Sequence, residues 1–315
     1  MESFKENILK TILYFDILNR PLNEKEIFEN LPPSFRKIDE NKLKKALFEL
    51  KNEGILGNQG DLWFLPGREN LIFERKLREK ISFELWKFVE KIAKILKFFP
   101  FIEAIFVSGS LPINNAHEFS DIDLFVITFP GRLFFARAFL NFFLKISFLK
   151  VSNKKTKRKF CPNLYFSLNK MTFLFPSYFS AFYFFHATPI IDFSNISKKF
   201  KKANSWLKNY FQFWEKEFKP PFGILSQKPK ITLFFEKLFS KKIGNFFEKI
   251  FKKIQMKIYL KKYMNKKIPG RVILKDWMVE DHPYSKEKEI LEIFDQKLLA
   301  LKSKRLYFDR RNLKG

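Results

Sequence analysis

Two aspartates, Asp121 and Asp123, stand at the head of an apolar run at 121–128, and a Gly109-Ser110 pair closes the apolar run before it. Residues 104–107 and 124–127 are apolar without a break, the pattern of short strands buried on both faces. Side chains two apart in a strand leave the same face, which puts the two aspartate Cα atoms about 7 Å apart. Both carboxylates then reach one hard cation or a pair of them. Mg²⁺ takes such oxygen ligands and keeps positions for water and substrate phosphate. Glycine has no Cβ, so the Gly109-Ser110 turn brings backbone amides close to a phosphate. The ten residues 111–120 separate the turn from the acids. Together these are the parts of a phosphoryl- or nucleotidyl-transfer site.

The elements that must position them follow from periodicity. Residues 7–18 carry Ile8, Ile12, Leu13, Phe15 and Leu18 at helical spacing. Asn23 is placed to cap a short helix, and Asp39 a third helix with Leu43, Leu47 and Leu50 on one face. Gly54 stops that helix, and residues 55–65 read as a hairpin. Helix, helix, helix, hairpin is the winged-helix order, and residues 1–68 are expected to be a separable winged helix-turn-helix. Residues 69–98 contain neither Gly nor Pro and read as a linker helix. A helix is expected after Pro130-Gly131 and a third strand at 163–168. Beyond about residue 171 the pattern reads as mostly helical. Residues 229–263 form an amphipathic stretch, expected to pack its apolar stripe on the core as a helical hairpin, with a lipid- or RNA-surface helix as the alternative. A short strand at 271–274, a last helix at 285–301 and a frayed basic tail from Lys302 complete the reading.

Composition bounds the function classes. The 315 residues allow two or three domains. A single cysteine excludes a disulfide framework, and three histidines give no basis for a zinc site or a nucleophilic triad. The opening residues lack the layout of a secretory signal, so a cytoplasmic protein is expected. The net charge of +27 admits nucleic acid as a partner, through the winged helix or a basic loop at 154–159. The drift of an AT-rich genome toward Lys, Ile, Asn and Phe competes as its cause, given 44 phenylalanines. Residues 171–191 are uncharged and long enough to span a bilayer, but Pro176, Pro189 and His186 interrupt them, and a membrane partner is not expected.

The strand, Gly109-Ser110, spacer, Ser120-Asp-Ile-Asp123 and second strand resemble the DNA polymerase beta-type nucleotidyltransferase superfamily. The order of Leu65-Pro-Gly-Arg68, Asn114-Asn-Ala116, Pro130-Gly-Arg132, Cys161-Pro-Asn163, Ala203-Asn-Ser-Trp206 and His282-Pro283 also looks like a group of bacterial nucleotidyltransferase-domain proteins with an N-terminal winged helix. The resemblance implies an α+β fold: winged helix at 1–68, linker helix at 69–98, a small mixed-sheet nucleotidyltransferase core at 99–200 and a helical C-terminal region at 201–315. It implies transfer of a nucleoside monophosphate from an NTP, ATP among the candidates, to a hydroxyl acceptor of unknown identity, with two Mg²⁺ ions. Asp121 and Asp123 would be catalytic and bind metal, while Gly109 and Ser110 would hold the β,γ-phosphates. Ser120 is read as bracing the strand, Arg132 as a surface residue, His117 as an exposed loop residue, and His186 and His282 as structural.

One departure stands out. The superfamily supplies a third carboxylate from a neighbouring strand, but residues 163–168 contain no acid. Asp192, the one acidic residue between Asp123 and Glu215, is read as a loop residue and is the remaining candidate for the missing metal ligand. A different function class, a DNA-binding regulator with a degenerate, nucleotide-sensing transferase domain, therefore stays open beside the enzyme.

Overall fold

A computed structural model describes residues 4–33, 39–152, 156–264 and 266–312, with side chains to Leu301. Ser34 and its neighbours to 38, and Lys154 and Lys155 of the expected basic loop, lie outside the described residues, as does the end of the tail at 313–315.

The chain opens with α1 (Phe4–Ile17), β1 (Leu22–Asn23), α2 (Glu24–Glu29), α3 (Glu40–Asn52), β2 (Gly57–Gln59) and β3 (Leu62–Phe64). Asn23 and Glu26 form a reciprocal capping box at the start of α2. The Asp39 side chain accepts from Lys42 N at 2.8 Å at the start of α3. Gly54, at φ +68°, ends α3 in the left-handed region. The three strands form a sheet in the order β1-β3-β2.

After the long helix α4 (Leu71–Leu96) come β4 (Ile102–Ser108), β5 (Ile122–Thr128), α5 (Leu133–Ile146), β6 (Phe160–Ser167), α6 (Tyr178–Phe185), β7 (Thr188–Asp192) and α7 (Ile196–Ala203). A 3₁₀ turn at Ser205–Asn209 leads to α8 (Lys230–Leu238), α9 (Lys242–Tyr263), β8 (Arg271–Lys275), β9 (Met278–His282) and α10 (Glu287–Asn312). A six-stranded sheet runs in the order β7-β4-β5-β6-β9-β8. Strands β5 and β6 are parallel and joined through α5, as a parallel pair requires; the other pairs are antiparallel.

The unbroken apolar runs of β4 and β5 are explained by cores on both faces of the sheet. Ile105, Val107, Leu124 and Val126 pack with α4 and α5 on one face. Ala104, Phe106, Phe125 and Ile127 pack on the other with α6, α7 and the N-terminal helices. The second core runs without interruption from Ile8, Leu13 and Tyr14 of α1 to Phe182 of α6 and Phe294 of α10. Asn30 and His186 meet inside it at 2.7 Å. The N-terminal helices therefore share a core with the sheet.

The C-terminal region is not simply helical, because it supplies β8 and β9 to the central sheet. Strand β9 carries Glu280, Asp281 and His282, so its sequence reads as polar, and pairing with β8 on one side and Leu164–Phe166 of β6 on the other makes it a strand. The last helix continues past Leu301 to Asn312. Residues 171–191 divide into a loop, α6 and β7, and no helix of the described residues is long and apolar enough to cross a membrane.

Helix α9 meets the expectation for its amphipathic stretch only in part. Its inward side mixes Phe247 and Phe251 with polar groups. Glu248 accepts from Phe134 N and Phe135 N at 2.9 and 2.8 Å, capping α5, whose own N-terminal residue supplies no cap. Gln255 donates to Phe134 O at 2.8 Å and, with Tyr259, receives the Arg137 guanidinium. Phe247 and Phe251 rest partly on the core, while Ile243, Phe246, Ile254 and Ile258 are exposed.

Candidate active site

Strand β4 ends where the antiparallel β5 begins, with Ser108 opposite Asp123, so the Gly109-Ser110 turn faces the acids at one end of these two interior strands. Gly109 has φ +74°, and a Cβ on it would lie 2.5 Å from Asp123 Oδ2. Only glycine satisfies both the backbone conformation and the approach of the carboxylate.

The spacer at 111–120 is tied down from three sides. Asn115 N donates to Ser110 O at 2.9 Å, and Ala116 N donates to Ser82 Oγ of α4 at 3.1 Å. The Asn115 side chain donates to Leu18 O at 2.8 Å and accepts from Arg78 of α4 at 3.2 Å. Arg20 donates to Asn114 O at 3.0 Å. Ser120 does brace the loop, since its Oγ accepts from His117 N at 2.9 Å.

Ligand atoms of Asp121, Asp123 and Cys161 all lie within 4.8 Å of one another, and among the described residues they are the one such cluster of His, Cys, Asp or Glu. Both aspartates keep some surface open to a cavity while protein atoms enclose their carboxylates. Burial, then the Asp121 charge, raises the Asp123 carboxyl to about 7. Burial also raises Asp121, against a hydrogen bond from Cys161. The Cys161 thiol is pushed far up, first by burial and then by the two carboxylates, and stays protonated.

Beside the acids, β6 presents neutral groups where a third carboxylate is expected. Cys161 pairs in register with Asp123, and Asn163 is the extra residue where the register shifts between Leu124 and Phe125. The irregularity turns the Asn163 amide to donate to Asp123 Oδ1 at 2.7 Å, and Tyr183 OH donates to Asn163 Oδ1 at 3.3 Å.

Asp192 is not part of this cluster. It ends β7 opposite Ala104, at the far end of β4 from Ser108. Its carboxylate is occupied by Ile196 N at 2.6 Å, Ser197 N at 3.0 Å and Ser194 N at 3.4 Å. The acid is a helix cap for α7, and the reading of it as a loop residue and metal ligand is corrected accordingly. Arg132 is likewise no surface or phosphate group. It is buried and donates to Phe239 O at 3.1 Å and Ser240 O at 2.7 Å, binding the end of α8.

The acids open into a cavity of ≈ 670 Å³ lined by Gly109, Ser110, His117, Tyr183, Glu280 and His282. Tyr14 and Leu18 of the N-terminal region and Ile290 of α10 also line it. A second cavity, ≈ 610 Å³, lies between α4 and residues 117–119 and holds neither aspartate. Sequence reasoning missed Asn163, Glu280 and His282. The bulge that aims Asn163 has no sequence signature, and β9 reaches the site only through pairing across β6.

No curated protein and no solved structure matches the chain. A protein-family model described as Nucleotidyltransferase domain matches residues 89–170, from within α4 to just beyond β6. That stretch holds the Gly109-Ser110 turn, both aspartates and the Cys161–Asn163 segment. Residues 89–170 thus carry a nucleotidyltransferase domain of the polymerase beta superfamily.

Proposed function

We propose that this chain is a divalent-metal-dependent nucleotidyltransferase that moves a nucleoside monophosphate from an NTP to a hydroxyl acceptor. The observation that carries the reading is the convergence of Asp121 and Asp123 on the Gly109 turn at the mouth of one cavity. The donor set fits a hard divalent ion, because two crowded carboxylates with raised pKa values are stabilised by a cation between them. Asp121 and Asp123 would hold Mg²⁺, which when bound neutralises phosphate charge and lowers the pKa of the attacking hydroxyl. A second ion of the expected pair would meet the Cys161 thiol and the Asn163 amide where a third carboxylate is absent.

The remaining work falls to the chain itself. Amides at Gly109 and Ser110 orient the β,γ-phosphates, and the clamp on the spacer fixes that turn relative to the acids. Attack forms an oxygen–Pα bond, breaks the Pα–oxygen bond to pyrophosphate and releases the hydroxyl proton.

A nucleotide-sensing DNA regulator is the second reading, favoured by the neutral groups on β6. Residues 4–64 have the element order of a winged helix, but two of the lysines of α3 lie beside carboxylates just outside it. Lys44 sits 3.6 Å from Glu24, and Lys42 sits 3.7 Å from Asp39. Incubation with α-phosphate-labelled NTPs, Mg²⁺ and a cell extract decides. Labelled product that disappears in Asp121→Asn and Asp123→Asn supports transfer, and Mg²⁺-dependent NTP binding without product supports sensing.

A further inference from the structure

We propose that the outward face of α8 and α9 docks on an anionic lipid surface, with both helices lying in the plane of the interface. On α9, Ile243, Phe246, Ile250, Ile254 and Ile258 fall within an arc of about 120°. Phe246 is 62% exposed, Ile258 55% and Leu260 58%. Such residues would be core in an ordinary surface helix. Here the inward side is taken by the hydrogen-bonded Glu248, Gln255 and Tyr259 together with Phe247 and Phe251, so the rest of the apolar arc faces out. The surface continues across Phe251 to Phe139 of α5, whose rings meet at 6.0 Å, and on to the exposed Phe142 and Ile146 at helical spacing. A contiguous apolar face of this extent marks an interaction site.

Charge selects the partner. Residues 230–264 hold ten lysines against two acids. Both acids are turned inward, Glu236 to Lys228 and the Phe101 amide, Glu248 to the start of α5. Exposed Lys242, Lys249 and Lys253 flank the apolar arc, while Lys257 and Lys261 emerge within it. Long lysine stems lie along apolar surface and lift their ammonium groups to the headgroups. An amphipathic helix rich in Lys with Phe and Ile opposite binds by apolar insertion plus attraction to anionic lipid. A second copy of the chain fits less well, because two-fold docking sets lysine against lysine. A nucleic acid would leave the isoleucines and phenylalanines in water.

The test is sedimentation of the full-length protein with vesicles of phosphatidylcholine alone or containing about one quarter phosphatidylglycerol. Binding to the anionic vesicles is expected, at least about tenfold tighter than to the neutral ones and weakened by added salt. Ile254→Asp with Ile258→Asp, and separately Lys253→Gln with Lys257→Gln, should each reduce binding at least about tenfold with an unchanged circular dichroism spectrum. The lysine variant decides alone if the acidic one misfolds. Equal affinity for both vesicle types, or variants that bind like wild type, overturns the proposal. So does a wild type that ignores vesicles but forms a dimer, or holds single-stranded RNA, through these same residues.

Discussion

Asn163 donates its side-chain amide to Asp123 at 2.7 Å, from the one position on β6 where the strand bulges toward the acids. A carboxylate there would complete a three-acid site. We therefore expect Asn163→Asp to tighten Mg²⁺-dependent NTP binding by about tenfold, equivalent to about 1.4 kcal/mol, while lowering the melting temperature of the metal-free protein. Titration calorimetry with and without Mg²⁺ measures the first arm, and a thermal melt in metal-free buffer measures the second. Unchanged affinity would mean that Asn163 does not face the metal position.

Acidity provides a second check. The folded Asp123 carboxyl, at about 7, lies above its ordinary value of 3.8. Its protonated form is retained by the folded state, so the stability it contributes is fully present below 3.8 and is lost as pH rises toward 7. Asp123→Asn removes that loss. In metal-free buffer the melting temperature of the variant should exceed that of wild type by more at about pH 8 than at about pH 5. A constant gap would refute the buried, mutually repelling pair.

Gly109→Ala tests the turn. The new methyl would stand 2.5 Å from Asp123 Oδ2 in a backbone conformation that costs an L-residue about 1–2 kcal/mol. A modest fall in melting temperature should accompany a loss of NTP binding or transfer of at least about a hundredfold. Stability loss with full activity would separate the turn from the site.

Removal of residues 1–68 should not leave a soluble core. Tyr14 packs against Phe182 and Phe294, with ring centroids 4.9 and 5.5 Å apart, and the spacer before Asp121 leans on Leu18 and Arg20. Expression of 69–315 should give aggregated or noncooperatively melting protein. A cooperative melt in solution would restore the independent domain that the N-terminal sequence suggests.

The sequence was most legible where local chemistry repeats a simple rule. Asn23 and Asp39 cap helices as their types require, Gly54 stops α3, and the apolar runs at 104–107 and 124–127 lie within β4 and β5. Asp123 and Gly109 could be placed together because a strand begins where a glycine turn ends its neighbour, while Asp121 stands one residue before β5 rather than in it. What failed required pairing partners distant in the chain. Asp192 reads as a spare acid until three amides of the α7 turn are seen around it. Arg132 reads as exposed until the end of α8 arrives from more than a hundred residues away. In α9 the apolar stripe misled in part, because polar groups share its inward side and leave Ile243, Phe246, Ile254 and Ile258 outside, an inversion that periodicity cannot detect.

That inversion sets a rule for how α9 can change. Glu248, Gln255 and Tyr259 are spaced by seven and four residues, which returns each to the same side of a helix of 3.6 residues per turn. One inserted residue between Glu248 and Gln255 would swing everything after it by about 100°, carrying Gln255 away from Phe134 and turning Ile254 and Ile258 off their arc. Exchanging one large apolar residue for another on the outside would disturb none of these bonds. The helix is thus a ruler as well as a surface: one large apolar letter on its outside can drift to another with genome composition, but its count cannot.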